Sequence, residues 1–299
     1  MKNEKKGLLI PKTDVVFQAL FGVQGSERIL GGLLSKIIDE DIENISLEAN
    51  QNLIRRIPEE KLGVLDLRAK IGDVADVDIE VQLQNKHNIP ERGLNYWAKM
   101  HAMQLKSGDK YQNLKKTILI LILDFEIKEL NKFLDAHSKH KILDIRDPKV
   151  IVFKNLEIHI IELPKITKYP EKTEEGLKAW MKFLMEPESE VVKMGAKEDK
   201  ELGEAVEKLE YISGDDELRR IAELREKYIL DEASEREAEK QEGIKQGIKE
   251  GKREGKKEGK KEEKINTAKR LLKIKMPINQ IIEITELSEE EIQTLNRNS

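Results

Sequence analysis

The hydrophobic positions follow a helical period at the start of the chain and an alternating period soon after it. Apolar side chains recur at helical spacing within residues 11–39, with Asp14 as a candidate N-cap and Gly22 as a stop signal. Residues 63–71 and 76–84 alternate instead, and the short stretch GDVA between them suits a turn. The pattern therefore predicts two helices followed by a β-hairpin.

The second strand of this hairpin separates its side chains by type. One face carries Val77, Ile79, Val81 and Leu83, and the other carries Asp76, Asp78, Glu80, Gln82 and Gln84. Directly opposed residues of a hairpin lie about 5 Å apart at Cβ. A turn centred near Asp73 therefore places Asp66 opposite Glu80, and Gln82 lies on the same face because it is two residues further along.

The next elements predict one α/β domain over residues 1–185. Its predicted elements are a helix at 91–106 with Leu94 on or near its apolar side, strands at 117–125, 150–153 and 156–163, and a helix at 176–185. The strand TILILILDF at 117–125 is apolar without interruption, which is typical of a strand covered on both faces. We therefore expect a mixed sheet flanked by helices.

A charged helical C-terminal extension follows, which we divide into residues 186–241, 242–264 and a small helical module at 265–299. The middle segment repeats a glycine every four positions, at residues 243, 247, 251, 255 and 259. Each glycine costs a helix about 1 kcal/mol relative to alanine, so this helix is marginal alone. Two interpretations stay open: a solvated, partly frayed linker, or a glycine face that a partner helix approaches, as in a homodimer.

Composition narrows the class of protein. Of the 299 residues, 37% are charged, so part of the chain is expected to be solvated helix. There is no cysteine, which excludes disulfides and cysteine-based nucleophiles or zinc sites. The apolar stretch at residues 8–10 is too short for a signal peptide, and no run approaches a membrane span, so we expect a cytoplasmic protein without membrane contact. The net charge of −4 disfavours a uniformly basic nucleic-acid binder but permits a local basic groove.

The hairpin face carries the candidate chemistry. Two opposed carboxylates, Asp66 and Glu80, can share divalent cations, and hard oxygen ligands select Mg²⁺ or Mn²⁺ over Zn²⁺. Such a cation can polarise a phosphodiester and activate a bound water. The competing interpretation is the wet side of an ordinary antiparallel hairpin, with Arg68 opposite Asp78 as a cross-strand ion pair.

Several segments, in order and with intact spacing, resemble one family. They are PKTDVVFQALFG (11–22), KLGVLDLRAK (61–70), DIEVQLQ (78–84), ERGLNYWAKMHAMQLKSGDKY (91–111), LILDF (121–125) and GLKAWMKFL (176–184). Together they resemble the recombination-promoting nuclease/transposase family, a branch of the PD-(D/E)XK nucleases. The resemblance implies a restriction-endonuclease-like core, Mg²⁺-dependent DNA cleavage, and a role in recombination or mobile elements.

The resemblance also assigns roles to residues. Asp66 matches the motif aspartate and Glu80 the second acidic residue, both as catalytic metal ligands. Gln82 stands where the general pattern has lysine, although this branch commonly carries glutamine there, and Leu65 stands in place of the proline. An amide can position a water but cannot deprotonate it, so a slower enzyme, or one relying wholly on its metal, is expected.

Two other interpretations of these residues stay open. Asp124 could join Asp66 and Glu80 in the acidic triad of an RNase H-like transposase, although the hairpin fits the restriction-nuclease pattern better. A non-catalytic DNA- or protein-binding module with a decayed nuclease fold is the alternative from another functional class.

Histidines and basic residues offer weaker candidates. A metal site at His137 and His140 lacks companion ligands, so a surface loop is favoured there. His101 is expected to pack on its helix. Arg92 and Lys99 could face phosphates, but a solvated helix face is the favoured interpretation for both.

Overall fold

The computed structural model of the protein describes residues 7–48, 67–85 and 88–297. The chain divides into two compact units, Met1–Leu230 and Asp231–Ser299. Each unit is described separately below.

The first unit is built on a six-stranded mixed sheet with the order β1-β2-β3-β4-β6-β5. Strand β2 runs antiparallel to both β1 and β3, strands β3, β4 and β6 run parallel, and β5 is antiparallel to β6. The bounds are β1 Ile45–Leu47, β2 Leu67–Ile71, β3 Ala75–Gln82, β4 Lys116–Leu123, β5 His137–His140 and β6 Leu156–Glu162. The predicted hairpin is therefore confirmed over its described part, as β2 and β3.

Helices cover both faces of this sheet. Those of the first unit are α1 Asp14–Phe21, α2 Glu27–Ile38, α3 Ile89–Met103, α4 Leu163–Lys168, α5 Glu175–Met185, α6 Glu190–Glu198 and α7 Lys200–Ser213, and α8 Asp216–Lys273 begins there. The expected mixed sheet flanked by helices is confirmed. No helix in the described ranges has both the length and the apolar character that crossing a bilayer requires.

Strand β4 is the centre of two hydrophobic cores, as its unbroken apolar sequence predicts. Its residues Ile118, Ile120 and Ile122 belong to the larger core, together with α1, α2 and α5. Its residues Leu119, Leu121 and Leu123 form the smaller core beneath α3. Helix α3 approaches closely because Gly93 faces the strand, where an added Cβ would lie 3.0 Å from a methyl carbon of Leu121.

Three details of the prediction were wrong. Residues 150–153 form no strand, because β5 occupies the ladder position beside β6, and Val152 and Phe153 are exposed. The segment containing His137 and His140 is strand β5 instead of a loop. Leu94, expected on the apolar side of α3, is half exposed, because α3 turns Gly93 and Met100 towards the sheet.

Packing in the first unit continues beyond residue 185. Val192, Leu202, Ala205 and Leu209, from α6 and α7, are buried in the larger core. Polar contacts add to this: the Trp180 indole N–H donates to Asp199 Oδ2 at 3.0 Å. The predicted domain boundary at residue 185 is a statement about which segments fold independently, and it stays a prediction. Helices α6 and α7 nevertheless contribute residues to the larger core of the sheet domain.

The second unit contains the rest of α8, α9 (Ile278–Thr285) and α10 (Glu289–Arg297), around a small core that includes Ala268, Ile281 and Ile292. Ser288 caps α10, since its hydroxyl accepts from the Glu291 N–H and the Glu291 carboxylate accepts from the Ser288 N–H. Every residue from 233 to 263 is exposed on continuous helix. Methyl groups added at the five repeated glycines would meet nothing within 4 Å.

Candidate active site on the β2–β3 hairpin

The structure places two of the three predicted site residues on one buried surface. Glu80 and Gln82 lie on the same face of β3, and their side chains are 1% and 8% exposed. Asp66 lies outside the described residues, so its predicted position opposite Glu80 stays a prediction. The pairing of Leu67 with Ile79 and of Arg68 with Asp78 gives the register of the described ladder.

The polar face of β3 is buried, contrary to the interpretation of a wet hairpin. Asp78 is as buried as Glu80, and both lie beside the leucines of β4 that form the smaller core under α3. Arg68 and Lys70 come from β2 onto the same face, opposite Asp78 and Asp76. Because burying a carboxylate costs several kcal/mol unless it is compensated, this surface is unlike an ordinary solvated strand face.

Gln82 is in direct contact with Glu80. Its amide Nε2 donates to Glu80 Oε2 at a distance of 3.2 Å. The amide therefore orients a carboxylate, and as a neutral group it adds no positive charge to the site.

The backbone of Gln82 ties the site to the end of β4. The Asp124 N–H donates to the Gln82 carbonyl at 2.9 Å. The Asp124 carboxylate is held by Lys12, whose Nζ lies 2.8 and 2.7 Å from its two oxygens. This ion pair gives Asp124 a structural partner, which weakens the case for it as a third acid of an RNase H-like triad.

Beside the hairpin lies a cavity of about 350 Å³, between the hairpin and the C-terminal end of α3. Its charged lining residues are Arg68, Lys70, Lys106, Lys115, Glu48 and Asp76. Burial is the largest influence on Asp76 and raises the pKa of that carboxyl, although Lys70 opposes the shift. With four basic and two acidic side chains, the cavity suits an anionic ligand.

Helix α3 is anchored to β4 by polar contacts centred on Thr117. The Trp97 indole donates to the Thr117 carbonyl at 2.9 Å, and His101 Nδ1 lies 2.8 Å from the Thr117 hydroxyl. The His101 ring stacks on Trp97 with centroids 4.8 Å apart, which confirms that it packs on its helix. Burial lowers the pKa of His101. Arg92 lies over the Tyr96 ring, and Lys99 is exposed.

The sequence interpretation missed a second buried polar group, on β5 and β6. His137 Nε2 lies 2.8 Å from His159 Nδ1, and His159 Nε2 lies 2.9 Å from Glu157 Oε1. Lys116, Lys139 and Lys141 also contact Glu157. Burial alone would raise the pKa of Glu157, but hydrogen bonds from His159 and the three lysines hold it far below its ordinary value. The alternation of Glu157 and His159 within an apolar strand is the signal that could have revealed this group.

Within residues 7–48, 67–85 and 88–297, no three His, Cys, Asp or Glu side chains converge as a metal site. The oxygen donors of Glu80 and Gln82 suit a hard divalent cation, but a further ligand is needed. Asp66 is the residue that the sequence offers for that position.

Comparison with known proteins gives one result. A family model described as PD-(D/E)XK nuclease family transposase matches residues 11–239, which is most of the chain. Neither the curated proteins nor the solved structures include a match to this sequence. The extent of the family match and the mixed sheet flanked by helices agree, and the chain belongs to the PD-(D/E)XK nuclease family transposases.

Proposed function

We propose that this protein is a Mg²⁺- or Mn²⁺-dependent DNA endonuclease that acts in recombination or in mobile-element biology. Asp66 and Glu80 are the proposed metal ligands, and Gln82 is the proposed positioning residue for the Glu80 carboxylate. The observation that carries the proposal is the burial of Glu80 and Gln82, hydrogen-bonded to each other, on the polar face of a paired hairpin.

The register of the hairpin supports the choice of Asp66. In the described ladder, Leu67 pairs with Ile79 and Arg68 with Asp78. The predicted pairing of Asp66 with Glu80 continues this register by one residue. Asp66 precedes Arg68 by two positions, so in an unbroken strand its side chain would share the face of Arg68 and Glu80. A bound cation would supply Lewis-acid polarisation of the phosphodiester and a lowered pKa for an attacking water.

The residues around the site have their own tasks. The Gln82 amide holds one Glu80 oxygen in place, which fixes the direction of the carboxylate. Arg68 and Lys70 line the neighbouring cavity and can bind the phosphates of a DNA backbone. Since an amide carries no charge and takes up no proton, the chemistry depends on the metal more heavily than in an enzyme with lysine at this position.

A second candidate function is a DNA-binding protein without nuclease activity. The observation that favours it is the amide of Gln82 in the place of the general lysine. Such a protein would retain DNA affinity and be indifferent to the loss of Asp66, because pure binding needs no metal ligand.

The test is a plasmid-cleavage assay on the full chain with Mg²⁺ or Mn²⁺. We expect nicking or linearisation that stops on chelation and falls at least about 100-fold in Asp66→Ala and Glu80→Gln. Glu91→Gln, which changes an exposed carboxyl on α3, is the matched control and should cleave normally. Cleavage that survives both chelation and Asp66→Ala would refute the mechanism, and DNA binding without any cleavage would favour the second candidate.

The variant Gln82→Lys tests the positioning role. It restores a charged group beside the developing negative charge, so we expect the cleavage rate to be preserved or raised. A large loss of rate in a folded Gln82→Lys protein would mean that the amide itself makes an indispensable contact.

A further inference from the structure

The exposed part of α8 is a long, highly charged helical surface in the described part of the second unit. Residues 233–263 are all exposed, and this stretch contains only two large apolar side chains, Ile244 and Ile248. An exposed helix of this kind has no hydrophobic stripe with which to pack. Its charges therefore determine what it can bind.

The charges are not distributed evenly around the helix. At 100° per residue, eight basic residues fall within one half of the circumference between residues 249 and 264. This basic face consists of Lys249, Lys252, Arg253, Lys256, Lys257, Lys260, Lys261 and Lys264. Glu254, Glu258 and Glu262 fall on the opposite half, together with the repeated glycines. Only Glu250 and Glu263 interrupt the basic face.

Much of this positive charge is uncompensated. Among the described residues, ion pairs involve three members of the face: Arg253 with Glu250 at 3.8 Å, Lys261 with Glu291 at 3.7 Å, and Lys264 with Glu286. These pairs are exposed, so each contributes little and can exchange for another anion. The other five ammonium groups extend into solvent.

The shape and charge of the face fit a duplex phosphate backbone. Sixteen helical residues span about 24 Å, and the major groove of DNA is about 12 Å wide and admits an α-helix. The face could therefore contact phosphates on both sides of the groove. It consists almost entirely of lysine, which neutralises phosphates without reading base edges in a fixed geometry.

Other partners fit less well. A lipid surface would require apolar side chains on the half opposite the charges, and that half carries glutamate and glycine. A coiled-coil partner would require apolar residues about every 3.5 positions, which the segment lacks. Duplex RNA has a deep, narrow major groove that excludes a helix.

We propose that the basic face of α8 binds the phosphate backbone of duplex DNA without sequence preference. The choice of DNA as the partner rests on the proposed function, whereas the face itself rests on the arrangement of the charges. In this role the segment holds DNA electrostatically and leaves cleavage to the site on the hairpin.

The test separates the face from the net charge. In a swapped variant, four adjacent pairs exchange places: Lys249→Glu with Glu250→Lys, Arg253→Glu with Glu254→Arg, Lys257→Glu with Glu258→Lys, and Lys261→Glu with Glu262→Lys. These exchanges keep composition and net charge, but the former face then carries five basic and five acidic residues in alternation. Both the swapped protein and its parent carry Glu80→Gln and are measured in chelator, so that cleavage does not interfere. Anisotropy of a labelled duplex of about 30 base pairs is followed from about 50 to 200 mM salt.

We expect the swapped variant to bind at least about 10-fold more weakly. Its slope of log K against log salt should fall by about 3, since each lost phosphate contact reduces the slope by about 0.9. Equal helicity by circular dichroism shows that the helix survives the exchange. Unchanged affinity of the swapped variant for duplex DNA would overturn the proposal. The proposal would also be overturned if the swapped variant lost binding to anionic vesicles or to duplex RNA while its binding to duplex DNA stayed the same.

The two proposals fail differently. The nuclease activity is tested with Glu80 restored and Mg²⁺ present. A protein that then binds DNA through the basic face of α8 but never cleaves it refutes the proposed nuclease activity alone. A protein that cleaves, and whose swapped variant binds duplex DNA as well as the parent, refutes the basic face alone.

Discussion

The buried ion pair between Lys165 and Glu162 should be one of the most sensitive points of the first unit. Lys165 Nζ lies 2.6 Å from Glu162 Oε2, and both side chains are 1% exposed. Nζ also donates to the Leu130 carbonyl at 2.9 Å, and Glu162 Oε1 accepts from the Ile127 N–H at 2.7 Å. The pair therefore joins the end of β6, helix α4 and the turn at 127–130.

The substitution Lys165→Met keeps most of the side-chain volume and removes the charge. It leaves the Glu162 carboxylate buried beside a vacated partner, and it leaves the Leu130 carbonyl without the ammonium donor. Removing one member of a buried pair costs about 3–5 kcal/mol, a large part of the roughly 5–15 kcal/mol that stabilises a typical domain. Adding Glu162→Gln removes the second charge and keeps an acceptor for Ile127, so the double variant should recover at least about 2 kcal/mol.

Urea unfolding followed by tryptophan fluorescence measures these differences. Both tryptophans, Trp97 and Trp180, lie in the first unit, so the signal reports that unit. The matched control is Lys193→Met, which breaks the exposed pair with Glu190 and should cost less than about 1 kcal/mol. An unchanged denaturant slope would show that the variants differ in stability and not in the compactness of either state.

Two outcomes would refute the reasoning. A loss below about 1 kcal/mol for Lys165→Met would mean that water reaches the Glu162 carboxylate. A double variant as unstable as the single one would mean that the loss comes from packing, because removing the second charge then recovers nothing.

Two further predictions concern acidity and the extent of the first unit. Burial, with repulsion from His159, lowers the pKa of His137 from 6.5 to about 4. Between these two pH values the unfolded chain binds a proton that the folded chain does not. The contribution of His137 to stability should therefore be complete above pH 6.5 and fall as the pH drops towards 4, by at most about 2 kcal/mol at pH 5. Thermal melts of His137→Gln should lack this part of the acid dependence, and a melt with the same dependence would assign it to another group. A chain ending at residue 235 should melt cooperatively, whereas one ending at residue 185 should not, because it lacks the core residues of α6 and α7. Proteolysis and calorimetry distinguish the two fragments. A stable 1–185 fragment would contradict the packing argument.

The sequence by itself determined the local elements. Alternation in β3, the unbroken apolar run of β4 and the helical period of α5 each depend on neighbours two to four positions away, so a single segment contains the whole signal. The same holds for the capping box at Ser288 and Glu291. The exposed α8 was also predictable, because a segment without apolar residues has nothing to bury.

Only the tertiary structure decided which polar surfaces are buried. Glu80 and Gln82 look like a solvated strand face until α3, approaching closely over Gly93, covers the neighbouring strand. His137 and His159 meet because β5 and β6 pair across 22 residues of sequence. The few apolar residues of α6 and α7 complete a core whose other members lie in α1, α2 and α5. Burial depends on contacts between residues far apart in the chain, and the periodicity of one segment contains no information about which other segment will cover it.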